Sequence, residues 1–152
     1  MGKILEGKKI PTFKADATND SVFDLKNNKK NLVIYFYPKD NTPGCTTEGE
    51  NFRDLYKKFK DVNAEIFGVS RESLKSHENF KEKFNFPFDL ISDSDEKICN
   101  LFDVIKEKSM YGKKYMGIER STFLIDSKGK IIKEWRKVKV KDHASEVLDS
   151  ID

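Results

Sequence analysis

The sequence predicts an α/β fold, a central mixed β-sheet flanked by helices. Three observations predict it. Leu32-Val33-Ile34-Tyr35-Phe36-Tyr37 is a short run of β-branched and aromatic residues, apolar on both faces, which suits a central strand covered on both sides. Helical apolar spacing follows it and separates it from a second strand pattern. A hairpin pattern centred on Ser127-Lys128-Gly129 comes late in the chain.

Taken in order, the first helix is expected from about Thr46 to Lys60, because Phe52, Leu55, Tyr56 and Phe59 fall at i, i+3, i+4 and i+7. Glu65 to Ser70 reads as a second core strand. Leu74, His77, Phe80 and Phe84 suggest a second helix, and Ser94 or Asp93 can cap a third that contains Ile98, Leu101 and Phe102. Ser121 to Asp126 and Lys130 to Trp135 flank the glycine turn, and Ala144, Val147, Leu148 and Ile151 form a last amphipathic helix. Alternating βαβ units followed by a hairpin imply layers of helix on a mixed sheet. That order is the order of the thioredoxin-like fold.

Composition narrows the function classes. The chain has 152 residues and neither repeat, low-complexity tract nor linker, so a single domain over residues 1–152 is expected. Apolar residues make up 37% and charged residues 36%, the balance of a well-solvated globular protein. Basic residues exceed acids by only 29 to 26 and are scattered. A nucleic-acid partner would call for a basic stripe. The alternation Lys137, Lys139, Lys141 reads instead as a solvated strand end or loop. The N-terminus from Met1 to Gly7 lacks the apolar run of a signal peptide, and no stretch reaches the ~20 apolar residues of a membrane span. With two distant cysteines there is no disulfide framework and no zinc-type ligand cluster, so neither metal nor cofactor is expected. A reducing, cytoplasmic setting follows.

The chemistry concentrates in Tyr37-Pro38-Lys39-Asp40-Asn41-Thr42-Pro43-Gly44-Cys45-Thr46-Thr47-Glu48. A core strand runs into a turn-rich loop, which delivers Cys45 to the start of a long helix. The unpaired N–H groups and the positive end of the helix dipole favour an anion there. A sulfur so placed should ionise more readily than the ~8.5 of a free cysteine. Gly44 allows close approach of a backbone N–H, and the Thr42 hydroxyl can donate to the sulfur or to a bound oxygen. A thiolate beside such donors suits attack on an electrophile whose leaving group gains negative charge, as a hydroperoxide does.

The string Pro38-x-x-x-Thr42-x-x-Cys45 resembles the peroxiredoxin active-site pattern, and its local form resembles the bacterioferritin-comigratory-protein, or Q, subfamily. The likeness covers nearly the whole chain: Gly7 to Leu25, Leu32 to Asp54 and Gly117 to Asp126. It implies a thiol-dependent peroxidase that reduces hydrogen peroxide and organic hydroperoxides without a cofactor. Cys45 would be the peroxidatic cysteine, Thr42 would bond thiolate and peroxide, and Pro38 would shield the sulfur from bulk water. Arg120 would favour the thiolate and hold the peroxide oxygens through its fixed donors. Glu48 either orients that arginine or is a favourable acid in the first helical turn.

Many members of the subfamily carry a resolving cysteine at the position that is Glu50 here. The remaining thiol, Cys99, reads as a small buried hydrophobe, with resolving cysteine as its alternative role. A one-cysteine cycle is therefore expected, with thioredoxin, glutaredoxin or a small thiol as reductant and a monomer as the working form. His77 and His143 read as structural or surface residues without a carboxylate partner, Trp135 as a packing residue, and Lys108 to Tyr115 as a surface loop near the site. Two rival classes remain. A thiol–disulfide oxidoreductase would want two cysteines separated by two residues, and a non-catalytic binding module would have no need of Thr42, Cys45 and Arg120 together.

Overall fold

The computed structural model describes residues 5–151. Residues 1–4 of the N-terminal stretch discussed above, and Asp152, lie outside the described residues. In chain order the elements are β1 (Lys14–Ala17), β2 (Ser21–Asp24), β3 (Asn31–Phe36), α1 (Pro43–Asp54), α2 (Tyr56–Asp61), β4 (Ala64–Ser70), α3 (Leu74–Phe84) and β5 (Asp89–Ser92). They continue with α4 (Lys97–Leu101), β6 (Ile105–Met110), β7 (Lys113–Ile118), β8 (Ser121–Ile125), β9 (Ile131–Trp135) and α5 (His143–Asp149). Seven strands form one sheet in the order β2-β1-β5-β4-β3-β8-β9. β3, β4 and β5 run parallel, while β8, β9, β1 and β2 pair antiparallel. The sheet is mixed, as expected, with β3 near its centre.

β3 is covered on both faces because its side chains alternate between two cores. Leu32, Ile34 and Phe36 pack with Phe102, Phe123 and Cys99. Val33, Tyr35 and Tyr37 pack on the other side with Cys45, Phe52 and Phe59. This two-sided burial is why the segment carries no polar alternation. It also places the two cysteines in different cores, on opposite faces of one sheet.

Several elements depart from the sequence expectation. The helix expected from Thr46 begins at Pro43, with Thr42 as its N-cap; proline fits the first helical position because its missing N–H would have had no partner there. The same helix breaks at Leu55, so Tyr56–Asp61 is a separate turn. Phe52 and Phe59 are both fully buried, with rings 5.9 Å apart, so the apolar face continues across the break. The strands β1, β2 and β5 have four residues each, too few for a period to stand out, even in β1, where Lys14-Ala15-Asp16-Ala17 alternates. Lys108 to Tyr115 is the tip of the β6–β7 hairpin, turning through Tyr111 (φ 52°) and Gly112 (φ 79°). Its strands are largely exposed on both faces, which is why they read as a loop. Ile151 lies just beyond α5.

Candidate active site

β3 ends at Phe36, and the loop from Tyr37 to Asn41 carries the chain to α1. Cys45 falls in the first turn of that helix, two residues after Pro43. The side chain of this cysteine is 2% exposed, beneath the exposed residues Pro43 and Gly44. The arginine enters from the far side of the sheet sequence. Arg120 precedes β8, which pairs with β3, so the register Phe36↔Ser121 brings the arginine beside the start of α1.

Its guanidinium spans two partners. Arg120 Nη1 donates to Glu48 Oε1 at 2.6 Å, and Nη2 donates to Cys45 Sγ at 3.4 Å. Gly44 makes room for this. A Cβ there would stand 3.2 Å from Arg120 Nη2, tighter than ordinary contact. The space beside the cysteine is thus occupied by the arginine fork rather than left for a backbone N–H alone.

Glu48 lies one helical turn after Cys45 and is 1% exposed. Its Oε2 and the Tyr35 hydroxyl are buried without a hydrogen-bond partner among the described residues. Burial pushes the Glu48 carboxyl up to about 7, against the opposing charge and hydrogen bond of Arg120. The folded value lies above the ordinary 4.5. Folding therefore takes up a proton in the window between them, and this contribution to stability is complete below the unfolded value and lost as pH rises through about 7. The stability difference between the wild-type chain and Glu48→Gln should accordingly favour the wild type more at pH 5 than at pH 8. Urea unfolding at both pH values measures it, and a difference independent of pH would contradict the protonation of Glu48.

Thr42 departs from expectation. Its hydroxyl donates to the Lys39 carbonyl at 2.9 Å, and no hydrogen bond to the sulfur is found among the described residues. The proton is used to close the loop, and the oxygen's lone pairs stay available. Pro38, four residues earlier in the loop, is half-buried. Lys108, on the β6–β7 hairpin, is held below its ordinary value first by burial and then by the Arg120 charge, with the Cys45 charge opposing. The hairpin therefore reaches the same electrostatic neighbourhood.

Cys99 is elsewhere. It is fully buried on α4, and its backbone N–H donates to Asp93 Oδ2 at 2.7 Å, next to that of Ile98 at 2.9 Å on Oδ1. The N-cap of α4 is Glu96 (φ 63°) rather than Ser94 or Asp93, and its side chain makes no cap bond; Asp93, in the chain that precedes the helix, instead accepts from these two N–H groups. Burial pushes the Cys99 thiol far up, with the Asp93 hydrogen bond and charge adding to it. Both cysteines are free.

His77 has the carboxylate partner that its own neighbourhood in sequence does not show. Its Nδ1 lies 2.7 Å from Asp40 Oδ2, across 37 residues of chain. His143 also has a carboxylate beside it, with Nδ1 3.2 Å from Glu146 Oε1; it is buried against Thr122, with Nε2 2.8 Å from Oγ1, and Trp135 packs edge-on to it. No group of residues suited to a metal ion is found among the described residues, and no helix there is long and apolar enough to cross a membrane.

Known proteins resemble this chain along most of its length. Residues 6–134 match the AhpC/TSA family. Peroxiredoxin Bcp of Bacillus subtilis is 51% identical over 146 residues, 95% of this chain and 93% of that protein. Peroxiredoxin Bcp of Xanthomonas campestris is 59% identical over 120 residues, 79% of this chain and 75% of that protein. A solved structure of the Xanthomonas campestris bacterioferritin comigratory protein, studied for its alkyl peroxide reduction activity, superimposes with a TM-score of 0.87 at 51% identity. It covers 91% of this chain and 89% of that one. With its thioredoxin-like sheet and a cysteine–arginine pair at a helix start, the chain belongs to the AhpC/TSA family and is a peroxiredoxin, a thiol-dependent peroxidase.

Proposed function

We propose that Cys45 is the peroxidatic cysteine of a one-cysteine cycle acting on hydrogen peroxide and organic hydroperoxides. The observation that carries this reading is the Arg120 fork, which touches the Cys45 sulfur with one nitrogen and Glu48 with the other. The thiolate attacks the terminal oxygen of the peroxide. The O–O bond breaks, sulfur becomes sulfenic acid, and the electron pair leaves on the second oxygen, which takes a proton as water or alcohol. Arg120 lies where it can stabilise the charge on that oxygen. The Thr42 oxygen, its proton committed to Lys39, can accept a hydrogen bond from the peroxide O–H. Pro38 is the residue that would shield the sulfur from bulk water.

An external thiol then attacks the sulfenic sulfur, releasing water and forming a mixed disulfide. A second thiol reduces that disulfide and restores Cys45. Thioredoxin, glutaredoxin or a small thiol fills this role, and the enzyme works as a monomeric, single-domain protein of the cytoplasm. Organic hydroperoxides fit the Xanthomonas relative's alkyl peroxide activity and the exposed Met110, Tyr115 and Met116 of the β6–β7 hairpin.

Cys99 supports the external-thiol step by its position. A disulfide requires Cα atoms within ~7 Å, while Cys99 is packed in the core on the other face of the sheet. Treatment with one equivalent of peroxide, followed by dimedone trapping and non-reducing mass analysis, should find the adduct on Cys45 and Cys99 as free thiol. A stoichiometric Cys45–Cys99 disulfide within one chain would make Cys99 the resolving residue and end the one-cysteine reading.

A further inference from the structure

The loop before α1 is held by a buried pair that the cycle above does not use. Asp40 and His77 have side chains 3% and 0% exposed. Asp40 Oδ1 accepts from the Tyr37 hydroxyl at 2.6 Å, and Oδ2 accepts from the Ser76 hydroxyl at 2.7 Å. His77 Nδ1 lies 2.7 Å from the same Oδ2. The other ring nitrogen, Nε2, lies 3.0 Å from the Ile91 carbonyl oxygen. Both nitrogens thus face acceptors, and a carbonyl oxygen has no proton to give, so Nε2 carries one and donates it.

A single carboxylate in this loop therefore gathers the end of β3 through Tyr37 and the first turn of α3 through Ser76 and His77. His77 passes the tie on to β5 through Ile91. Burial alone would raise the Asp40 carboxyl, but the hydrogen bond and charge of His77, helped by Tyr37 and Ser76, hold it below its ordinary value. The neighbouring residues are fixed in the same way. Asn41 adopts φ 59° and accepts from Lys83 Nζ at 3.1 Å, while Lys39 receives the Thr42 hydroxyl. Asp40 stands between the two loop residues that set Thr42.

A buried polar pair is weak evidence of a stabilising role, since well-packed apolar residues often do as well. Placement is a better account of this one. A shift of about 1 Å in reacting groups can cost roughly 100-fold in rate, and the loop carries Pro38 and Thr42 to within a few residues of Cys45. We propose that His77 is a positioning residue for the peroxidase reaction, acting through Asp40 to hold the Pro38–Thr42 loop against the peroxide site. The proposal rests on the reading of Cys45 as the attacking residue.

Two substitutions at one position separate placement from packing. Asparagine puts an amide nitrogen near the place of Nδ1 and can still donate to Asp40, whereas glutamine puts it near Nε2 and keeps only the Ile91 bond. His77→Gln should lower kcat/KM for hydrogen peroxide about 100-fold, with kcat at saturating peroxide much less affected because the external thiol sets it. His77→Asn should restore most of that loss. Equal losses in both variants, or a wild-type kcat/KM in His77→Gln, would overturn the proposal. Tyr37→Phe removes one hydrogen bond to Asp40 with little change in packing. It should lower kcat/KM by severalfold, and it decides the matter if the His77 variants fail to fold; a wild-type value there overturns the proposal too. Peroxide consumption that persists in Cys45→Ser would instead strike the reading of Cys45, whatever His77 does.

Discussion

Cys45→Ser is expected to stop hydroperoxide consumption, with a loss on the order of 10⁴-fold or more. The reacting species is a thiolate, and a serine hydroxyl at neutral pH has almost no anion to offer. Nothing else described in the site can substitute for it. Arg120 and Thr42 are proposed to hold the peroxide, and neither can accept an oxygen atom and later return it as water. The substitution exchanges one small atom for another at a position 2% exposed, so the fold should survive, which near-identical circular dichroism would show. Consumption is followed with a dithiol reductant present. Unchanged turnover would mean that another group does the chemistry, and Cys99 could then be tested by the corresponding Cys99→Ser change.

Much of this site was legible in sequence because it is local. Pro38, Thr42, Pro43, Gly44 and Cys45 lie within one turn-and-helix unit, and turn chemistry plus helix spacing place them without reference to the rest of the chain. The central strand was legible for a similar reason, since its two-sided burial leaves an uninterrupted apolar run. What sequence could not give is the set of contacts made across long stretches of chain. The Arg120–Glu48 pair depends on the β3–β8 register, and without a family likeness Arg120 reads as a strand-edge charge. The Asp40–His77 pair joins a loop to a helix that only sheet order brings together. Strands β1, β2 and β5 are too short for a pattern of their own to stand out, and the β6–β7 hairpin buries too little to show one. The opposite-face placement of the two cysteines is another product of topology. It bears directly on mechanism, yet no spacing rule contains it.

Arg120 carries the second large effect. Its two nitrogens serve two partners at once, with Glu48 Oε1 at 2.6 Å and Cys45 Sγ at 3.4 Å. A lysine presents one ammonium on a flexible stem and cannot reproduce that fork. Arg120→Lys should therefore lower kcat/KM for hydrogen peroxide by roughly 10²-fold, the usual cost of losing one oriented donor to a developing oxyanion. Arg120→Ala should lower it further, because the sulfur then loses its cationic neighbour altogether. Glu48 should respond as well, for a carboxyl that is 1% exposed and has lost its cation is pushed towards the neutral form. Adding Glu48→Gln to Arg120→Ala then changes little, whereas Glu48→Gln alone leaves the guanidinium in place with a neutral partner. That non-additivity is the signature of a shared interaction. A wild-type kcat/KM in Arg120→Lys, or simple additivity of the Arg120 and Glu48 changes, would show that the fork seen at the helix start does not govern the attack.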